Sequence, residues 1–218
     1  MLAAKQIFLG RSAKAAPTAR SYLQDWLIAM WDGIENAGWG VHDASATTWK
    51  DLSGNCDISA TNLNFSELSV NRGYADVVQA LTNFPQFSGD RTFRVVFRRV
   101  GGSFGQFCCG FRDGSYWYFN AVAQGFGLRD TTGKAYFTSS FADTQITSCC
   151  AVMSGGSRTF YVNNQLRNTT TNTGTASVSP AVMWRYADFC NIAVYNRALA
   201  AEEIAANYAI DKERFNLP

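Results

Sequence analysis

The sequence predicts an all-β protein of antiparallel strands closed by one C-terminal α-helix. Three observations carry that expectation. Short runs of alternating apolar side chains recur from residue 65 to 195, at the roughly 8 to 12 residue spacing of a sandwich or barrel. Their connections are short and made of residues that tolerate turn geometry, such as Arg112-Asp113-Gly114-Ser115, Thr132-Gly133-Lys134 and Ser154-Gly155-Gly156-Ser157. A helical period sets in only after residue 199, so no helices alternate with strands and a parallel α/β sheet is not expected.

The elements follow in order. Residues 1–20 show no clear period and contain Pro17, which reads as an arm or loosely packed segment ahead of a domain at 21–218. Ser21 to Trp31 is strongly apolar and is expected to end in a strand, Leu27 to Trp31, with a helical turn before it. Residues 32–64 are rich in Gly, Asn, Asp, Ser and Thr and read as a long loop, the kind that is functional or tightly self-packed. Thr92 to Val100 alternates Phe93, Val95 and Phe97 with Arg94, Val96 and Arg98, the pattern of a half-buried strand. Further strands are expected at Gln106–Phe111, Tyr116–Val122, Phe126–Arg129, Ala135–Ser139, Ile146–Met153 and Arg158–Val162. Asn163-Asn164 suits a tight hairpin because Asn accepts positive φ. Asp188–Tyr195 is the last strand, with Phe189, Asn191, Ala193 and Tyr195 expected on one face and Cys190, Ile192 and Val194 on the other. From Ala200 to Phe215, Ile204, Tyr208 and Phe215 share a helical face. Glu202 and Glu203 in its first turn and Lys212 and Arg214 in its last match the helix dipole.

Bulk properties narrow the function. The 218 residues form one large domain with ample hydrophobic content. A net charge of +2, from 19 basic and 17 acidic residues, gives no broad pull towards nucleic acid or membrane. The arm is the local exception: Lys5, Arg11, Lys14 and Arg20 with no acid suit a solvated tail or assembly arm, a nucleic-acid contact being the alternative. No run approaches the roughly 20 apolar residues of a membrane span, and Ile7-Phe8-Leu9 is too short for a secretory signal core, so no export is expected. The adjacent pairs Cys108-Cys109 and Cys149-Cys150 sit in strands and must divide between opposite faces. With Cys56 and Cys190 they read as buried thiols, a cross-strand disulfide being the alternative.

Candidate chemistry is sparse. His42 is the only histidine, so any Ser-His or Cys-His pair has to use it; beside Asp43 in the loop, it reads as a hydrogen-bonded loop residue or a ligand contact. Retaining glycoside hydrolysis needs two carboxyls about 5 to 5.5 Å apart, and no strand offers two on one face. Sugar recognition places a flat aromatic beneath a pyranose, surrounded by amides and carboxylates. Trp39 and Trp49 in the polar loop, and Tyr116 and Trp117 after Asp113-Gly114, are the candidates, with His42 and Asp43 beside them; the alternative for Trp39, Trp49 and Trp117 is that they plug the sandwich edge, as is expected of Trp31 and Trp184.

Three stretches together carry a family resemblance: Met30-Trp31-Asp32-Gly33-Ile34-Glu35-Asn36-Ala37-Gly38-Trp39-Gly40 with Thr48-Trp49-Lys50-Asp51-Leu52-Ser53-Gly54-Asn55; Thr159-Phe160-Tyr161-Val162-Asn163-Asn164-Gln165-Leu166; and Asn191-Ile192-Ala193-Val194-Tyr195-Asn196-Arg197-Ala198-Leu199 through Glu202-Glu203-Ile204. Over about residues 26–215 the chain resembles the concanavalin A-like lectin/glucanase jelly rolls, in the laminin G-like branch found in phage and prophage structural proteins. The resemblance implies an antiparallel two-sheet β-sandwich with the helix as its closure. It implies a non-catalytic recognition or display module on a phage or prophage particle, located in the virion or in the host cytoplasm before assembly. Its partners are then a surface glycan or other virion proteins, with no specific nucleic acid, no membrane insertion and a homo-oligomer admitted. A purely structural virion role and a glycosidase are the alternatives, and no catalytic residue is assigned. Such folds often hold calcium in rim loops, and Asp32, Glu35, Asp51 and Asn55, with Asp43, supply oxygens of the kind calcium takes, the alternative being that Asp51, Ser53 and Asn55 make a hydrogen-bonded turn. The chain departs from the pattern at Cys56, where relatives have Gly, at Asn164, where they have the Gly of Asn-Gly, and at Ala200, where they often have a capping Ser or Thr. The family's tryptophan and histidine strand is replaced by Gln145–Met153. Glucanases of this fold carry Glu-x-Asp-x-x-Glu on one strand, a spacing that Glu35 and Glu67 do not meet.

Overall fold

The computed structural model describes residues 15–60, 62–71, 84, 89–100, 145–171 and 187–218 with their side chains, and residues 77–80, 108–111, 115–120, 125–130, 133–138 and 180–184 as backbone strands. In chain order the strands are β1 (Leu27–Asp32), β2 (Thr48–Trp49), β3 (Ile58–Ser59), β4 (Asn64–Phe65), β5 (Val70–Asn71), β6 (Val77–Ala80), β7 (Arg91–Arg99), β8 (Cys108–Phe111), β9 (Ser115–Asn120), β10 (Gly125–Asp130), β11 (Gly133–Thr138), β12 (Ile146–Ser154), β13 (Ser157–Val162), β14 (Gln165–Thr171), β15 (Pro180–Trp184) and β16 (Ala187–Tyr195), followed by helix α1 (Ala201–Phe215). Among these, β14-β13-β12-β7-β16-β5-β4 form one sheet, with β1 also beside β16, and β11-β10-β9-β8-β15-β6 form the second. The pairings are antiparallel. The chain is thus the expected antiparallel β-sandwich with one C-terminal helix.

The inner face of the larger sheet follows the two-residue period. Phe93, Val95 and Phe97 of β7, Cys149, Ala151 and Met153 of β12, Ile192 and Val194 of β16, and Ala29 and Trp31 of β1 pack into one core. Phe84, four residues beyond β6 of the second sheet, stacks on Trp31 with ring centroids 6.2 Å apart. Cys149 belongs to this core and Cys150 to the opposite face, as adjacent strand residues must. Cys56, Cys149, Cys150 and Cys190 are buried free thiols; burial pushes Cys150 up to about 12. The side chains of Cys108 and Cys109 lie outside the described residues.

Two expectations are corrected on the outer face. The half-buried reading of β7 fails, because Thr92, Arg94 and Val96 are also buried; α1 and residues 18–24 lie over them, Arg94 and Val96 meeting side chains from both α1 and its C-terminal end. The simple alternation of β16 fails at a bulge between Phe189 and Asn191. The extra residue puts Phe189 with Ile192 and Val194 on the inner face, and Asn191, Ala193 and Tyr195 with Cys190 on the outer one. That shift is what aims Asn191 at the helix.

Turn chemistry holds at the described turns, where Gly155 and Gly156 take φ of 54° and 80° between β12 and β13; Arg112, Asp113, Gly114 and Thr132 of the other two expected turns lie outside the described residues. Asn163 and Asn164 take φ of 47° and 61° in the two-residue link from β13 to β14. Gly33, after β1, runs against the 66–69 turn, where a Cβ would meet Leu68 O at 2.6 Å. Residues 18–24 are firmly packed: Ala19 and Tyr22 are buried against the outer face, in a short 3-10 turn Ala19–Ser21.

Candidate functional site

The long loop after β1 is organised by three carboxylates and one amide. Asp32 Oδ1 accepts the backbone N–H groups of Ile34 and Glu35 at 3.0 and 2.9 Å, turning the chain as β1 ends. Glu35 Oε2 accepts Gly40 N–H at 2.7 Å, closing the 35–40 turn. The Asn36 side chain clamps residue 43, accepting its N–H and donating to its C=O, each at 2.8 Å. Asp51 accepts the N–H groups of Met30, Ser53, Asn55 and Cys56 at 2.8 to 3.1 Å. Cys56 fits where relatives have Gly because it works through its backbone, its C=O accepting Trp31 Nε1–H at 2.9 Å.

These bonds give the expected metal-ligand residues a structural role in the loop. Asp32, Glu35 and Asp51 spend their oxygens on backbone N–H groups and on arginine, and all three are buried. Asn55 points its amide nitrogen at Ile28 O and Ser53 Oγ. Asp32 with Glu35, and Asp51 with Asn55, form two hydrogen-bonded supports of the loop. Among the described residues no group of three or more His, Cys, Asp or Glu converges as metal ligands.

Beneath the loop lies a buried polar network that the sequence reading did not identify. Arg214 of α1 bonds both Asp32 oxygens, at 2.6 and 2.9 Å, and reaches Glu35 Oε1 at 3.3 Å. Asn191 donates to Asp32 Oδ2 at 2.8 Å and accepts from Arg94 Nη1 at 2.7 Å. Arg94 in turn pairs with Asp211, whose other donors are Tyr22 Oη at 2.7 Å and Ser148 Oγ at 2.8 Å. The Arg94 guanidinium also lies 4.2 Å from the Tyr22 ring centroid. Burial, then the Asp211 carboxylate, pushes the Tyr22 phenol well above its usual value, so it stays a proton donor. The available signal was Asn207 and Asp211, three and seven residues after Ile204 and so on the helix's apolar stripe, where buried polar groups need partners.

The aromatic candidates separate. Trp49 is wholly buried: β2 pairs it with Ile58, its Nε1–H donates to Asp32 O at 2.8 Å, and its ring meets Phe65 edge-on. It offers no face to a ligand, which corrects that expectation; the polar residues around it hid a core position. Trp39 is half-buried under the Arg20 guanidinium, 4.4 Å from its ring centroid. His42 and Asp43 are exposed. His42 Nδ1 sits 2.9 Å from Ile34 O, as the hydrogen-bonded reading expected. Ser45 hydrogen bonds, first from its hydroxyl and then from its N–H, hold the Asp43 carboxyl below its usual range. Tyr116 and Trp117 lie on β9 of the second sheet, and their side chains fall outside the described residues.

Next to Asp43 the chain opens an accessible groove of about 600 Å³ between residues 44–48 and 59–63. Ser45, Thr47, Thr48, Ser59 and Asn62 supply its polar wall and Leu63 an apolar one. Thr48 Oγ1 and Ser59 Oγ, 3.1 Å apart, tie its two sides where β2 and β3 pair.

Comparison with solved structures identifies the architecture. Trypanosoma rangeli sialidase in complex with sialic acid superposes with a TM-score of 0.63 at 14% identity, over 91% of this chain and 34% of that one. The binding domain of botulinum neurotoxin DC in complex with SialylT gives 0.64 at 10% identity, over 87% and 52%. The serotype D binding domain of botulinum neurotoxin gives 0.66 at 10% identity, over the same shares. The shared architecture is an antiparallel β-sandwich. At these identities the likeness is one of fold, and the chain spans about a third of the sialidase and half of the toxin domains. No protein-family model and no curated protein matches the sequence.

Within this sandwich the two kinds of polar group do different work. Asp32, Glu35, Asp211, Arg94 and Tyr22 combine acid, base and cation, but all are at most 5% exposed. Groups so sealed cannot meet a substrate. The hydroxyls and amide of the groove are open, and they can donate and accept hydrogen bonds to a polyol.

Proposed function

We propose that this domain is a non-catalytic glycan-recognition module, binding in the open groove between residues 44–48 and 59–63, with His42 and Asp43 at its lip. The observation that carries the reading is a hydroxyl-lined groove beside a loop already fixed by Asp32, Asn36 and Asp51. A loop ordered in advance loses little entropy when a ligand arrives. Its open shape, with hydroxyls and an amide on one wall and Leu63 on another, suits weak binding at a single site. We further propose display in many copies on a phage or prophage particle, where avidity raises weak affinity. The basic residues ahead of the packed 18–24 segment, Lys5, Arg11 and Lys14, then dock the module on its neighbours. The burial of Asp32, Glu35 and Asp211 supports recognition rather than hydrolysis.

The test is binding of the protein, displayed multivalently, to an array of surface glycans, beside a Thr47→Arg variant that fills the groove from an exposed position. Retention by the wild type and loss by Thr47→Arg is the expected result. Equal retention by both overturns the groove assignment, and release of sugar from a polysaccharide panel overturns the non-catalytic one. Capsid or tail genes beside the gene are expected from the particle setting, and unrelated metabolic neighbours contradict it.

A further inference from the structure

Trp26 occupies a backbone conformation that bulky side chains avoid. It is the third residue of the turn closed by Leu27 N–H to Gln24 O at 3.2 Å, with φ of 62°. That position in a turn calls for Gly or Asn, and a large residue there is an outlier. The turn cannot relax, because Trp26 C=O accepts Asn196 N–H at 2.9 Å and the next residue, Leu27, pairs with Tyr195.

Trp26 is 56% exposed, the second most exposed of the large hydrophobic residues described. Among the described residues its indole makes no hydrogen bond or ring contact. Glycine would fill the turn without strain, so the indole's presence calls for an explanation outside the fold. Strained residues held by a rigid frame cluster at ligand sites.

Its surroundings specify the chemistry. Asp25, the preceding residue, is exposed, and Asn196 is half-exposed. The nearby cation, Arg197, bonds both Glu203 oxygens at 2.6 Å and also feels the Asp25 carboxylate. An exposed tryptophan whose chain neighbour Asp25 carries a carboxylate, and whose C=O is bonded by Asn196, a residue with an amide side chain, matches a neutral pyranose: ring C–H groups on the indole, hydroxyls donating to Asp25. The carboxylate disfavours an acidic sugar.

We propose that Trp26, with Asp25 and Asn196, forms a second saccharide subsite that takes the apolar face of a neutral pyranose. It stands apart from the groove: Trp26 precedes the first residue of β1, whereas Trp49, beside the groove, reaches Asp32 at the last. The proposal rests on the recognition reading and adds a site and a sugar class to it.

The experiment displays the wild type, Trp26→Gly, Trp26→Phe and Thr47→Arg multivalently on immobilised cellohexaose, maltohexaose, xylohexaose and sialyllactose, and records the Tm of each. The subsite predicts that Trp26→Gly loses about tenfold or more on a neutral oligosaccharide, as removal of a buried aromatic anchor does. Its Tm equals or exceeds that of the wild type, and Trp26→Phe keeps part of the binding. Unchanged binding by Trp26→Gly overturns the subsite; if Thr47→Arg then loses binding, the recognition reading survives. A fall in Tm for Trp26→Gly also overturns it, by showing the indole to be a packing element. If Trp26→Gly abolishes a concentration-dependent oligomer without affecting glycans, the indole belongs to a protein interface and the subsite fails. If the wild type retains no glycan, both readings fail.

Discussion

Arg214 and Asp32, 182 residues apart in sequence, face each other through two hydrogen bonds, Nη1 to Oδ2 at 2.6 Å and Nη2 to Oδ1 at 2.9 Å. The pair joins the last turn of α1 to the end of β1. Asp32 also holds the first turn of the long loop, so one carboxylate connects the closing helix to the proposed binding surface. Both side chains are at most 2% exposed.

Breaking that pair is expected to cost heavily. Arg214→Met leaves Asp32 and Glu35 buried without their cation, a loss of about 3 to 5 kcal/mol. Urea unfolding reads it as a lower midpoint at unchanged slope. A cost below about 1 kcal/mol, the range of an exposed pair, contradicts the placement.

A pH effect follows from Arg197 and Glu203. The Arg197 hydrogen bonds, and after them the Ala200 N–H, hold the Glu203 carboxyl down from 4.5 to about 2. A carboxyl lowered on folding adds stability above its unfolded value and loses it as the pH falls through the folded one. The contribution is therefore complete above pH 4.5 and fades towards pH 2. The pair is partly exposed, 26% and 29%, so about 1 kcal/mol bounds it. Glu203→Gln should flatten the stability profile in this window, measured by urea midpoints from pH 5 downward.

Helix α1 lacks a capping oxygen. Ala200 has the extended backbone of an N-cap, with φ of −71° and ψ of 160°, and Glu203 already reaches back to its N–H at 2.8 Å. Ala200→Ser completes the reciprocal pair and is expected to add about 1 kcal/mol. Thermal unfolding checks it, and no rise in Tm contradicts it.

Trp49 and Trp39 should respond differently. Trp49→Ala empties a wholly buried site and should cost about 3 to 5 kcal/mol. Trp39→Ala removes a half-buried ring under Arg20 and should cost less than half as much. Similar losses for both contradict the assignment of Trp49 to the core, with chemical denaturation as the measurement.

The fold was legible because its signals are local. Alternation in Phe93–Phe97, turn residues at Gly155-Gly156 and Asn163-Asn164, and the change of period at Ala200 each act within a few residues. The pattern failed where long-range packing decides. At Phe189–Asn191 one extra residue reverses the faces, and no composition cue marks it. Arg94 alternates as a surface residue should, yet it is buried, because its partner Asp211 lies 117 residues away. For the candidate site, the exposure of His42 and Asp43 could be read from the loop, but the roles of Asp32, Glu35 and Asp51 could not. Their sequence is that of a calcium loop or of a hydrogen-bonded turn, and only the positions of the donors separate the two. Trp26 was hidden in an apolar run, because sequence does not show which residue of a turn takes positive φ.

The central claim is that a pre-formed polar surface on the sandwich binds sugar without altering it. The most direct measurement is amide chemical-shift mapping of the protein by NMR as an array-selected oligosaccharide is added, with the sugar's own signals followed in the same tube. The account predicts shifts at residues 43–48 and 59–63, a second set around Trp26 for neutral sugars, and an intact oligosaccharide at the end. Shifts confined to other surfaces, or new reducing-end signals from a cleaved sugar, would contradict it.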